Sequence, residues 1–352
     1  MTEFELIYDY FKQQMQSFVA TDAQQQASVL KSLGDDAAVV ALAAESKWVT
    51  CVDTLVQGRH FSAEWSQVEA LAFAIGYKSV VVNVSDLAAM GAQPHSILLA
   101  LALPKRLAKD KWLAEFAKGL FHACTQYGVR LIGGDTTRHD SLIISVTANG
   151  VMAKQTQPVY RHGAQVGDKV YVSGTLGDAN YALQHAETQL GQQLAHRLHM
   201  PTPRITLGTA LAAQGLVTSM IDISDGLVQD LGHICQQSKV AMQLELSQLP
   251  ASAELQQVEL PTRALCQLTG GDDYELAFTL PASASVPQAY LDAGHKVTCI
   301  GEVVAAATSV AGDLAESGAI ALLYDGQPLT AAHPYPFSQL PDFGGYQHFS
   351  KE

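Results

Sequence analysis

Three features of the sequence predict a mixed α/β protein of two domains. Short apolar, β-branched runs closed by glycine, proline or aspartate alternate with longer stretches of helical periodicity. The pattern restarts beyond residue 155, and 352 residues with 48% apolar content are enough to bury more than one core.

The first run, Trp48–Val52, reads as a strand closed by Asp53. A helix is predicted from Gln67 to Met90, with Val68, Leu71, Ala72, Ile75 and Val82 at core spacing and Gly91 as its stop. Its Val80–Val82 run suits a strand as well; if the segment is helical, Val82 and Asp86 share a face. Strand Ser96–Leu103 and helix Lys109–Tyr127 follow. Gly128 ends that helix, and strand Val129–Ile132 then leads into a Gly133-Gly134-Asp135 turn and on to strand Leu142–Val151. Lys154–Gly163, with Gln155, Gln157 and Pro158, reads as a linker and sets domains at 1–153 and 154–352. Past it, strands at Val170–Ser173, Ser219–Ile223, Ala241–Leu246, Glu275–Leu280 and Val297–Ile300 alternate with helices near Leu176–Glu187, Pro203–Gln214, Leu227–Ser238 and Arg263–Leu268.

Charge narrows the function. With 34 acidic and 21 basic residues the chain carries a formal charge of -13, which repels a nucleic-acid backbone or an anionic membrane. A phosphate ligand has to arrive with its own cations. Cys51, Cys124, Cys235, Cys266 and Cys299 lack C-x-x-C spacing and read as reduced core residues. Met1–Tyr10 has no basic segment followed by an apolar one, and the longest purely apolar stretch, Ile97–Pro104, is too short for a bilayer. A cytoplasmic location is the expectation.

The chemistry-bearing residues are aspartates set beside glycines and hydroxyls. They occur in Gly34-Asp35-Asp36, Val52-Asp53-Thr54, Asn83-Val84-Ser85-Asp86, Gly133-Gly134-Asp135-Thr136-Thr137, Asp222-Ile223-Ser224-Asp225-Gly226 and Gly270-Gly271-Asp272-Asp273-Tyr274-Glu275. Gathered together, such carboxylates repel by about 4 kcal/mol per pair at 4 Å unless cations lie between them. Oxygen ligands without histidine or thiolate point to magnesium bound with substrate phosphates. Each motif also has a plain structural reading: a turn at Gly34-Asp35-Asp36 and at Gly133-Gly134-Asp135, a helix cap at Asp225, a loop start at Asp53. Asp86 is more telling, because an acid on the apolar side of a helix costs several kcal/mol unless it is paired or metal-bound. His60 alone reads equally as a packed or a surface residue. The phosphate-loop, G-x-G-x-x-G and protein-kinase signatures are all missing, which leaves a nucleotide site built from metals and backbone amides.

Taken in order, and with Gly58-Arg59-His60-Phe61 and the C-terminal Asp342-Phe343-Gly344-Gly345, these motifs resemble the thiamine-monophosphate kinase family over essentially the whole chain. The resemblance implies an aminoimidazole ribonucleotide synthetase-like α/β fold. Its N-terminal domain, 1–153, binds ATP and magnesium and forms the sheet of a homodimer. Its C-terminal α/β domain, 154–352, completes the substrate cleft. The implied reaction moves the γ-phosphoryl group of ATP to thiamine monophosphate with several Mg2+ ions and no phosphoenzyme, and no nucleic-acid or membrane partner is implied. By resemblance Asp36, Asp53, Asp86, Asp135 and Asp222 are metal ligands at the catalytic centre, Val52 serves through its carbonyl, and Asp225 holds a further metal. Gly134, Asp135, Arg161 and Ser224 match ATP positions; His60, Asp272 and Phe343 match thiamine phosphate positions. The family commonly has hydroxyl residues where Cys51 and Val52 stand, glutamate at Asp272 and tryptophan at Phe343. A non-catalytic ATP and magnesium sensor, or another ATP-using enzyme of the superfamily, is the alternative.

Overall fold

The computed structural model describes residues 10–11, 29–31, 38–62, 69–108, 110–306 and 320–329. The chain divides into two units, residues 1–87 with 92–155 and residues 88–91 with 156–352.

In the first unit, β1 (Val29–Lys31) and β2 (Val39–Val40) form a small antiparallel ribbon. Then come β3 (Lys47–Val56), α1 (Glu69–Ala89), β4 (Gln93–Leu103), α2 (Asp110–Tyr127), β5 (Arg130–Arg138) and β6 (Ile143–Met152). The four long strands lie in the order β3-β6-β4-β5, antiparallel except for β4 and β5. That parallel pair needs the crossover that α2 supplies. Trp112, Leu113, Phe116, Leu120 and Cys124 recur on the buried face of α2 at helical spacing. Where α1 and α2 meet, a Cβ at Gly76 would overlap the Phe116 carbonyl, and one at Gly119 would overlap that of Phe73. Two glycines therefore set how closely the helices pack.

The Val80–Val82 run is helical, and from Val80 to Ala89 every side chain except Asp86 is buried. Leu71–Ala89 is long and apolar enough to cross a membrane by length and composition, which a search for unbroken apolar runs overlooks. With 83% of its apolar window buried inside the fold, it is a core helix. The sequence reading also ended two strands too early. Asp53 lies inside β3 rather than closing it, and Gly133, Gly134 and Asp135 lie within β5 rather than in a turn.

In the second unit the order is β7 (Lys169–Ser173), α3 (Asp178–Gln184), α4 (Gln189–His199), α5 (Ile205–Gln214), β8 (Ser219–Asp222), α6 (Leu227–Ser238), β9 (Ala241–Glu245) and α7 (Leu260–Thr269). β10 (Leu276–Leu280), α8 (Gln288–Asp292), β11 (Val297–Val304), β12 (Ile320–Tyr324) and β13 (Gln327–Pro328) complete it. The sheet runs β13-β12-β9-β11-β7-β10-β8, antiparallel apart from β12 beside β9. Val170, Val172, Ile221, Leu227, Leu231, Met242 and Ala277 form its core. The helix expected over Leu176–Glu187 ends at Gln184, and α4 starts anew with the Thr188 hydroxyl accepting from the Gly191 N–H at 3.0 Å. Register places Leu276 opposite Asp222, Ala277 opposite Val172, and Ser173 opposite Val297. The ends of β8 and β7 and the starts of β10 and β11 therefore share one end of the sheet.

Candidate active site

At that end of the second unit, β8 finishes at Asp222, which is 4% exposed, and the chain turns through Ser224 and Asp225 into α6. The Asp272 N–H donates to the Ser224 carbonyl at 2.9 Å, and the Tyr274 N–H to that of Ile223 at 2.8 Å. Asp222, Ser224, Asp225 and Asp272 are thus brought to one locality by the β8–β10 ladder. Asp272 and Tyr274 both have left-handed backbones, φ 70° and 51°, and the Tyr274 hydroxyl donates to the Asp272 carboxylate at 3.1 Å. Non-glycine residues held this way cluster at functional turns.

Asp230, one turn into α6, was not singled out from sequence. Its Oδ2 accepts the N–H groups of Ser224, Asp225 and Gly226 at 3.0, 3.1 and 3.1 Å. The only signal was an acid in the first turn of a helix whose neighbours Leu227, Val228 and Leu231 are all core. Burial first, and then the Asp222 and Asp225 carboxylates, push Asp230 well above the usual carboxylate range against the pull of the Gly226 and Asp225 amides. The amides of this turn face inward, onto Asp230.

The paired acids Asp272 and Asp273 separate. Asp273 is fully buried and accepts the Gly177 N–H with both oxygens, at 3.1 and 3.0 Å. Burial raises it well above the usual range, and the Gly177 amide and Arg197 oppose that shift. Glu275, which is 0% exposed, accepts from Ser173 Oγ at 2.5 Å, Arg197 Nη2 at 2.9 Å, Arg204 Nε at 2.6 Å and Arg204 Nη2. A cavity of about 390 Å³ is lined by Arg197, Arg204, Lys296, Asp178 and Glu254, among others, beside this group. Carboxylates offset its cations, so its charge does not mark it as a polyanion site.

In the first unit, Asn83 is central. Its Oδ1 accepts the Asp53 N–H at 2.9 Å and its Nδ2 donates to the Ser79 carbonyl at 3.2 Å, while its own carbonyl accepts from Cys51 Sγ at 3.4 Å. Asp86 lies three residues further along the same helix, one turn from the Asn83 side chain that holds the Asp53 N–H. Val52 is exposed on β3. His60 Nδ1 accepts the Val56 N–H at 3.0 Å, which leaves the neutral ring's proton on Nε2 as a donor. Gly134 sits opposite Leu99, and a Cβ there would overlap the Leu99 carbonyl; close strand packing therefore accounts for the glycine. Asp135 is exposed beside Ala100. Asp53 is at the level of Gly134, but β6 and β4 intervene, so about 14 Å separates them at ordinary strand spacing.

Arg161 is exposed on the segment leading into the second unit, and Asp36 and Phe343 lie outside the described residues. Among the described residues no group of three or more His, Cys, Asp and Glu side chains is placed to hold one metal ion. The donor chemistry at Asp222 and Asp225 nonetheless fits a divalent cation. Both are oxygen donors whose charges reinforce at Asp230, and a cation relieves that repulsion. Of the five cysteines, all free, Cys124, Cys235 and Cys266 are buried, whereas Cys299 is exposed and departs from the core reading.

The fold and its acid-bearing turns define a class. Residues 34–152 match the N-terminal domain of AIR synthase related proteins, and residues 165–313 match the C-terminal domain. Among individual relatives, the thiamine-monophosphate kinase of Haemophilus influenzae is 41% identical over 80% of this chain and 82% of its own length. That of Escherichia coli K12 is 35% identical over 99% and 98%. The chain belongs to the thiamine-monophosphate kinase family. A crystal structure of the Stenotrophomonas maltophilia kinase superposes with a TM-score of 0.73 at 37% identity, covering 88% of this chain and 97% of that one. AaThiL complexed with AMPPCP and TMP superposes at 0.68 with 28% identity, over 99% of each chain.

Proposed function

We propose that the chain transfers the γ-phosphoryl group of ATP to thiamine monophosphate, releasing thiamine diphosphate and ADP. The observation that carries this reading is 35% identity over nearly the full length of a kinase of that name, joined by a homologue complexed with AMPPCP and TMP. The transfer is a direct in-line displacement. The acceptor phosphate oxygen is already ionised at neutral pH, so positioning and charge neutralisation supply the catalysis and no strong general base is needed.

Magnesium held by these carboxylates would supply the positive charge that neutralises the phosphates. For this chain, Asp36, Asp53, Asp86, Asp135, Asp222 and Asp225 are the proposed ligands, with Val52 acting through its carbonyl. Support is strongest at Asp53, whose N–H is held by Asn83 one helical turn from Asp86, and at Asp222 with Asp225. Gly134, Arg161 and Ser224 are assigned to ATP. His60, Asp272 and Phe343 are assigned to thiamine monophosphate. The outer face of the four-stranded sheet, where Trp48, Val52 and Leu98 are exposed, supports pairing of two copies into a homodimer. The reduced cysteines and the acidic surface support a cytoplasmic location.

Incubation with ATP, magnesium and thiamine monophosphate, followed by oxidation to fluorescent thiochrome, tests the activity. Thiamine diphosphate has to accumulate; nucleotide binding without it would identify a sensor instead. Asp86→Asn is expected to lower turnover by about 100-fold or more without a matching loss of stability, since ligation rather than packing retains that acid. Unchanged turnover removes Asp86 from the site.

A further inference from the structure

Three consecutive backbone N–H groups converging on one point form a nest, the arrangement with which many proteins hold a phosphate or another anion. The turn Ser224-Asp225-Gly226 builds such a nest and fills it from inside. Asp230 Oδ2 takes all three donors, and the side chain is 2% exposed. We propose that Asp230 is a positioning residue for phosphoryl transfer: by occupying this nest it fixes the turn so that Asp222, Ser224 and Asp225 meet cations and nucleotide through side chains and not through amides.

Two further contacts show what the anchor controls. The Ser224 carbonyl, on the same peptide run, accepts the Asp272 N–H, and the Asp225 carboxylate accepts from Gln229 Nε2 at 3.1 Å. If Asp230 released the turn, the buried Gly226 amide and the half-buried amides of Ser224 and Asp225 would lose their acceptor, and the relative placement of Asp222 and Asp225 would loosen with them. A buried polar group left unpaired is costly enough to make the turn rearrange. Packing alone does not explain the residue. A leucine would be apolar like the core neighbours Leu227, Val228 and Leu231 yet would accept nothing.

The assignment rests on the kinase reading above, so its test includes a measurement independent of turnover. Hydrogen–deuterium exchange on the full-length protein without metal or nucleotide reports the amides of Ser224, Asp225 and Gly226 directly. Asp230→Ala and Asp230→Leu are each expected to speed their exchange by at least about tenfold, and Asp230→Asn, which keeps one acceptor oxygen, by less. With thiamine monophosphate as acceptor, the half-saturating magnesium concentration and the KM for ATP are expected to rise by about tenfold or more in Asp230→Leu, with partial rescue in Asp230→Asn. The KM for thiamine monophosphate is expected to rise with them, because the Ser224 carbonyl on this turn pins Asp272. Unchanged exchange in both Ala and Leu variants would overturn the anchor. So would faster exchange with ATP and magnesium parameters unmoved, or full function in Asp230→Leu. Should Ala and Leu fail to fold, the Asn variant carries the same two measurements. An inactive wild type with protected amides would sink the kinase reading and leave the anchor standing.

Discussion

Glu275→Gln is the most demanding perturbation of the second unit. The carboxylate is fully buried and accepts four hydrogen bonds, three of them from Arg197 and Arg204, whose side chains are only 15% and 17% exposed. Screening is slight at that depth. Neutralising one partner of a buried ion group costs roughly 3–5 kcal/mol, because the remaining charges lose their counter-charge; here two guanidiniums are left beside each other. For a unit of this size each kcal/mol moves Tm by about 2–4 °C, so the expected drop is about 6–20 °C by scanning calorimetry. Arg204→Met and Glu275→Met combined are expected to recover much of that loss, since Arg197 keeps Asp178 as a partner and well-packed apolar residues commonly replace buried ion groups at little cost. A Glu275→Gln protein melting within about 2 °C of wild type, or a double variant less stable than the single one, would refute the reasoning.

Two further predictions concern the first unit. His95 is buried with Nδ1 3.0 Å from Ser96 Oγ, and burial, followed by the Arg130 charge, holds its pKa below the ordinary histidine value of 6.5. The unfolded chain then takes the proton first as pH falls, so stability is full above 6.5 and is lost below it. His95→Gln is expected to flatten the dependence of the urea midpoint on pH between about 7.5 and 5, and parallel curves for variant and wild type would contradict this. Gly134→Ala forces a methyl group into the Leu99 carbonyl of the adjacent strand and is expected to cost about 1–3 kcal/mol in urea unfolding while raising the KM for ATP. A stability equal to wild type would show that β4 and β5 have slack at this point.

Periodicity made most elements legible. Leu227–Ser238 matches α6 residue for residue, because Gly226 and the αL residue Lys239 bound a clean apolar face. α4 was missed because Gln189–Gln193 offers few apolar positions and its start depends on the Thr188 cap. Gly133-Gly134 was read as a turn, although in a strand a glycine also serves where a neighbouring backbone comes close, and only the Leu99 contact tells the two apart. The acids of the site were visible as motifs, but their division of labour was not. Asp230 and Asp273 act by accepting backbone N–H groups from Ser224–Gly226 and Gly177, and no spacing rule signals which carboxylate turns inward.

That division has a physical basis in the Asp272-Asp273 pair. Successive side chains on an extended or tightly turned backbone point to different sides, so two adjacent acids at a sheet end cannot readily both face one ligand. One turns inward, where it must be satisfied, and Asp273 is satisfied by the Gly177 amide with Arg197 nearby. The other stays at the surface on a strained backbone that the Ser224 carbonyl pins. Asp230 and Asn83 do equivalent work for Asp225 and Asp53: each spends a buried polar side chain on backbone groups beside an acid. Such anchoring matters most where like charges gather. A turn free to relax would move its carboxylates apart, and the cations that the reaction requires would lose the close spacing on which their binding depends.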